Sequence, residues 1–155
     1  MNVFTVSLFG HRKIDNLIRL EDQLTSLIRK LIQTNSYVAF LIGRNGEFDE
    51  CAASVIKRVQ KAVGKESSDI SLVLPYEVAK LEYYKKYYDN IIIPESVSGA
   101  HPKSVITLKN RWMIEQSDLV IAYVEHSHGG AYTAMKYAEK LSKKIIVLPI
   151  KADSI

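Results

Sequence analysis

The sequence predicts a Rossmann-like three-layer α/β sandwich with a mostly parallel sheet of about six strands. Three observations predict it. Short β-branched and aromatic runs alternate with stretches of helical apolar spacing along the chain. The run Leu119–Val124 is continuously apolar and of the right length for a strand buried on both faces. Polar, glycine-bearing loops follow several of the strand runs, where sheets of this class bind ligands.

Val3–Phe9 is the first strand and ends at Gly10-His11-Arg12. A helix follows from about Asn16 to Gln33, with Leu17, Leu20, Leu24, Leu27, Ile28 and Leu31 on its apolar face and Asp15 or Asn16 as N-cap. Asn35-Ser36 breaks it, and Tyr37–Ile42 is the second strand. The loop Gly43-Arg44-Asn45-Gly46-Glu47 leads into a helix from Phe48 to Val63 carrying Ala52, Val55, Ile56 and Val59 on one face. Ile70–Leu74 is the third strand, ended by Pro75. Glu77–Tyr88 reads as helix, and Ile91–Ile93 as a short strand stopped by Pro94. Glu95–Lys103 is a loop and Val105–Gln116 a helix.

Leu119–Val124 is the next strand, followed by the loop Glu125-His126-Ser127-His128-Gly129-Gly130. The helix Ala131–Leu141 then places Ala131, Ala134, Met135 and Ala138 on one face. Lys144–Ile150 is the last strand, and Ala152–Ile155 read as a loose tail. The strands at 3–9 and 119–124 are expected to be neighbours where the strand order reverses, so that three loops converge on one crevice.

At 155 residues, with 47% hydrophobic and 25% charged residues, the chain reads as one soluble globular domain. No apolar run approaches the ~20 residues of a membrane span. The N-terminal MNVFTVSLFGHRK lacks a basic leader region and a small-residue cleavage site, and reads as a core strand. The single cysteine, Cys51, rules out an internal disulfide and fits a cytoplasmic protein. No zinc-type spacing of Cys and His is present and no cofactor is called for; His126-x-His128 is a weak metal pattern and reads rather as loop histidines that contact a nucleotide or lie in solvent. The net charge of +4 permits anionic ligands without demanding nucleic acid.

The candidate site lies in the loops. Gly129 and Gly130 open a helix whose free N–H groups and dipole favour an anion, usually phosphate; the alternative is a plain corner. Arg12 can clamp a phosphate or bind a helix-end carbonyl, and His11 can contact ligand or bond backbone. Glu47 and Asp49 can bind ribose hydroxyls or serve as N-terminal acids of the second helix. Lys109 and Arg111 can face the crevice or solvent. The segment Tyr83-Tyr84-Lys85-Lys86-Tyr87-Tyr88 reads as semi-buried tyrosines or a subunit interface, which makes a homo-oligomer an expectation, rather than a base-stacking surface.

These pieces in order resemble the SLOG superfamily of Smf/DprA proteins and Lonely-guy (LOG) enzymes, and within it the small stand-alone YpsA-like branch. The matching residues are Phe9-Gly10-His11-Arg12, Gly43-x-x-Gly46-x-Phe48-Asp49, Leu74-Pro75-Tyr76, Arg111-Trp112-Met113, Ser117–Tyr123, Gly129-Gly130 with Thr133, and Tyr137-Ala138. The resemblance implies a Rossmann-like fold and a nucleotide-type ligand, such as an ADP-ribose derivative. It implies ligand contacts at Gly10, His11, Arg12, Gly43, Gly46, Glu47, Asp49, Lys109, Arg111, Gly129, Gly130 and Thr133. LOG-type hydrolysis of a nucleoside 5'-monophosphate is the alternative. Tyr132 replaces that signature's third glycine, Met135 and Lys136 stand at its glutamate positions, and Lys109 and Asn110 stand at its Arg-Lys pair. The acid would then be Glu47, from the neighbouring loop. A regulatory protein-interaction module is the third reading.

Overall fold

The computed structural model of the chain describes residues 2–150, so the reading of Ala152–Ile155 lies outside the described residues. The strands are β1 (Val3–Gly10), β2 (Tyr37–Ile42), β3 (Ser68–Val73), β4 (Asn90–Ile92), β5 (Leu119–Tyr123) and β6 (Lys144–Leu148). The helices are α1 (Leu17–Thr34), α2 (Glu47–Val63), α3 (Leu81–Tyr87), α4 (Val105–Glu115) and α5 (Gly130–Lys140), with a 3-10 turn at Glu95–Val97. All six strands form one parallel sheet in the order β4-β3-β2-β1-β5-β6. The order reverses between β1 and β5, which pair from Val6 opposite Leu119 to Gly10 opposite Tyr123. This is the expected α/β class with the expected neighbours at its switch point.

The sheet is covered on both faces. On one, α1 contributes Leu20, Leu24, Ile28 and Ile32, and α2 contributes Phe48, Ala52, Val55, Ile56 and Val59. Each buried Leu or Ile contributes roughly 1.5–3 kcal/mol. On the other, Met113 and Ile114 of α4 pack with Ala131, Ala134 and Ala138 of α5. The alanine stripe brings α5 close to the sheet beneath its N-terminus. The Ser7 hydroxyl of β1 and the Ser117 hydroxyl share a buried hydrogen bond, and both lie within hydrogen-bonding distance of Met113 O, at 3.0 and 2.7 Å, so that one donates to this carbonyl and the other to its partner hydroxyl.

Asn16 is the N-cap of α1, its side chain accepting Arg19 N–H at 3.0 Å. Leu17 lies exposed at the start of the helix, Leu31 packs half-buried on the core as expected, and the buried Ile32 joins it there. The helix expected over Glu77–Tyr88 starts only at Leu81, because Lys80 adopts a left-handed conformation (φ 64°) that a helix cannot pass through. β6 stops at Leu148, since Pro149 has no N–H to give the ladder. Ile150 leaves the sheet for α1, where Arg19 and Gln23 bond its carbonyl at 2.7 and 3.1 Å. Tyr84, Tyr87 and Tyr88 are half-buried against one another and α2, with the Lys57 amine on Tyr87 O at 2.7 Å; Tyr83 is exposed.

Candidate functional site

The carboxyl ends of β1, β2 and β5 open on a cavity of about 480 Å³, within the range of about 300–1,000 Å³ usual for small-molecule sites. The loops after all three strands line it, together with the α4 residues Ile106, Lys109 and Asn110.

The β1 loop brings Gly10, His11, Arg12 and Lys13 to the wall. Gly10 is required by packing: a Cβ there would lie 2.0 Å from the buried Phe48 ring of α2. His11 is 9% exposed, and its Nε2 accepts the Glu125 N–H at 2.9 Å. Its ring stacks on His126 (centroids 3.8 Å, 9° between planes), which stacks on His128 (4.0 Å, 23°). Burial, then the neighbouring His126, push the His11 pKa below its ordinary value.

The β2 loop supplies Gly43, Asn45 and Asp49. Asp49 Oδ2 accepts the Asn45 N–H at 2.7 Å. Burial pushes the Asp49 carboxyl up, while that N–H and Lys109 pull it back. The Lys109 Nζ and Asp49 Oδ2 lie 2.9 and 3.2 Å from where a Gly43 Cβ would stand, so this glycine makes room for both groups. Lys109 is 2% exposed, its pKa is lowered by burial, and among the described residues no ion pair closes on it.

Gly129 and Gly130 form the third wall. Gly129 has φ +94°, a conformation that favours glycine, and a Cβ on either residue would meet nothing within 4 Å among the described residues. Among the described residues no side chain caps α5, and its first turn carries no acid. The α2 N-terminus is the opposite case. Glu47, Asp49 and Glu50 occupy its first turn, and the Glu47 N–H donates to Arg12 O at 2.9 Å. An anion therefore meets free N–H groups at α5 and carboxylates at α2.

Gly46, Glu47, Arg111 and Thr133 do not line the cavity. Gly46 lets two loops touch, since its Cβ would fall 2.5 Å from the Arg12 Cα. Glu47 Oε1 accepts the Ile14 N–H at 2.8 Å and pins the β1 loop from outside. Arg111 lies over the Tyr137 ring at 5.0 Å, and the Thr133 hydroxyl donates to Gly129 O at 3.0 Å. Lys13, Asn45, Ile106, Asn110 and Ala131 line the cavity although the sequence gives no expectation of ligand contact for them; His126 lines it too, in keeping with the reading of a loop histidine that meets a ligand. Signals existed for two: Lys13 directly follows Arg12 at a strand end, and Asn110 falls on the LOG helix pair. Among the described residues no three metal-binding side chains converge.

No family model matches the sequence, and no curated protein matches it. The fold has close counterparts among solved structures. One is DNA processing protein A from Helicobacter pylori, a structure concerned with its single-stranded DNA binding mode (16% identity over 97% of this chain and 67% of that one, TM-score 0.66). Another is DNA processing protein A (DprA) from Streptococcus pneumoniae (14% identity, TM-score 0.70), where 96% of this chain spans only 51% of that protein. A third is the molybdenum cofactor binding protein from Rippkaea orientalis (20% identity over 99% of this chain and 81% of that one, TM-score 0.62). At these identities the likeness defines the fold alone. The chain shares their Rossmann-like α/β fold.

Proposed function

We propose that this chain is a single SLOG-like domain that binds a phosphorylated nucleotide-type ligand in the cavity between β1, β2 and β5. The observation that carries this reading is Lys109, a cation buried in the cavity wall without an ion pair among the described residues. A buried charge costs several kcal/mol unless something neutralises it, and the neighbouring Asp49, which forms no ion pair with it, offsets that cost only in part. An anionic ligand reaching the free α5 N-terminus would do so, with Arg12 and Lys13 adding charge from the β1 loop. Phe9, Ile106 and the His11–His126 stack supply flatter walls for a base, and Asp49 a carboxylate for ribose hydroxyls.

A LOG-type hydrolase using Glu47 gains no support, because that carboxylate faces Ile14 N–H outside the cavity. Two of the similar structures are DNA processing proteins, so a short single-stranded DNA belongs in the test beside small molecules. The test is a thermal-shift panel of AMP, ADP-ribose and a short oligo(dT), followed by mass spectrometry of the mixture. A ligand at 100 times its Kd should add about 2.7 kcal/mol of stability, several degrees at this size. A shift with AMP or ADP-ribose and no turnover supports a binding or sensing role. A shift with oligo(dT) alone, or with none of the three, overturns it.

A further inference from the structure

Lys109 is the one buried lysine among the described residues; the others are half-buried or exposed. Leu8, Phe9, Ile106 and Ala131 line the same cavity, and burial lowers the Lys109 pKa. A desolvated lysine gives up its proton more readily than one in water, and the free amine is a nucleophile.

The second group is the Asp49 carboxyl. Lys109 Nζ and Asp49 Oδ2 both border the space that a Gly43 side chain would fill, at 2.9 and 3.2 Å from its Cβ position. Among the described residues they nevertheless close no ion pair, so an atom of a bound molecule can enter between them. The Asn45 N–H holds Asp49 Oδ2 at 2.7 Å, and burial raises the Asp49 pKa. A fixed carboxyl beside an amine can pass a proton to and from an atom attached there. The anion-favouring start of α5, at Gly129 and Gly130, borders the same cavity.

We propose that Lys109 captures a phosphorylated aldehyde as an imine, with Asp49 carrying the proton and the start of α5 holding the phosphate. The amine nitrogen bonds the carbonyl carbon, and one N–H proton passes to the carbonyl oxygen, giving a carbinolamine. Asp49 protonates that hydroxyl, which leaves as water while the nitrogen lone pair forms the C=N bond. The remaining N–H proton returns to Asp49. One amine and one aldehyde give one imine and one water, and nothing is oxidised or reduced. AMP has no aldehyde, so with AMP Lys109 stays an ammonium beside the anion. The capture goes beyond the proposed binding role and shares only its cavity.

The probe is glyceraldehyde 3-phosphate, added to the whole chain with sodium cyanoborohydride, which reduces an imine to a stable amine. Intact mass and peptide mapping read the product. One adduct per chain is expected, on Lys109. It should form at least about tenfold faster than with glyceraldehyde, which lacks the phosphate and its charged hydrogen bonds. Lys109→Arg keeps the charge and should abolish the adduct. Asp49→Asn should slow it at least about tenfold, as loss of a general acid does. Mapping of the wild type locates the adduct even where a variant fails to fold. Labelling spread over the exposed lysines, no labelling, or equal rates with the two aldehydes would overturn the inference. An AMP melting shift measured on the same preparation separates the two readings. A shift without an adduct overturns the capture and leaves the nucleotide reading standing; an adduct without a shift supports the capture and counts against the nucleotide reading.

Discussion

The Nε2 of His11 accepts the backbone N–H of Glu125 at 2.9 Å, joining the loop after β1 to the loop after β5 across the point where strand order reverses. An accepting ring nitrogen carries no proton, so this bond requires a neutral imidazole. It also fixes the ring on which His126 stacks at the cavity wall.

Acidification should therefore loosen the site. The folded pKa of His11 lies below the unfolded value of about 6.5. Its contribution to stability is complete above that value. It is lost as pH falls from there to the folded pKa, because the unfolded state takes up the proton first. The slope in that window is at most about 1.4 kcal/mol per pH unit. Denaturant titrations of wild type and His11→Gln between pH 7.5 and 5.5 check it, since Gln can accept a bond but does not titrate. The wild type should lose more stability than the variant over this range; parallel curves would refute the assignment.

Gly10→Ala should destabilise the protein by about 1–3 kcal/mol, the usual cost of overpacking. The added methyl would fall 2.0 Å from the Phe48 ring, which is fully buried at the start of α2. The double variant with Phe48→Leu should recover part of the loss, because a smaller side chain clears the space. Additive losses would show that the two positions do not compete.

Lys109→Met should weaken binding. It removes a buried cation that closes no ion pair among the described residues but stands beside the buried Asp49 carboxyl, so the melting temperature should change little or fall. Losing a charged hydrogen bond to phosphate should cost about 1.5–3 kcal/mol of binding, roughly 10- to 150-fold in the Kd for AMP. An unchanged Kd would remove Lys109 from the anion site.

Gly130→Asp places a carboxylate in open space at the first turn of α5, where no acid stands now. The helix dipole should reward it with about 0.3–1 kcal/mol of stability. AMP binding should nevertheless fall far more than in Gly130→Asn, which has the same size and no charge. Equal effects of the two would mean that charge at this helix start does not matter to the ligand.

Glu47→Ala should lower stability by about 1 kcal/mol through the lost bond to Ile14 N–H, with AMP affinity within about twofold of wild type. An affinity loss of tenfold or more would bring Glu47 back into the site.

The secondary structure was legible because helix and strand periodicity are local. The apolar spacing of α2, with Ala52, Val55, Ile56 and Val59, names its buried face without reference to any other element. The alternation of elements also determined the fold class and the pairing of β1 with β5, since crossover rules leave few arrangements. Only the tertiary structure decided which loop residues face the cavity. Glu47 and Asp49 are two positions apart, yet one bonds Ile14 outside and the other lines the wall with Lys109 beside Gly43. Lys109 and Arg111 share a helix, yet one is buried and the other lies on Tyr137. A helix position states an angle around its own axis. What lies at that angle depends on how the neighbouring strand ends and helices pack, and no local pattern records that distance.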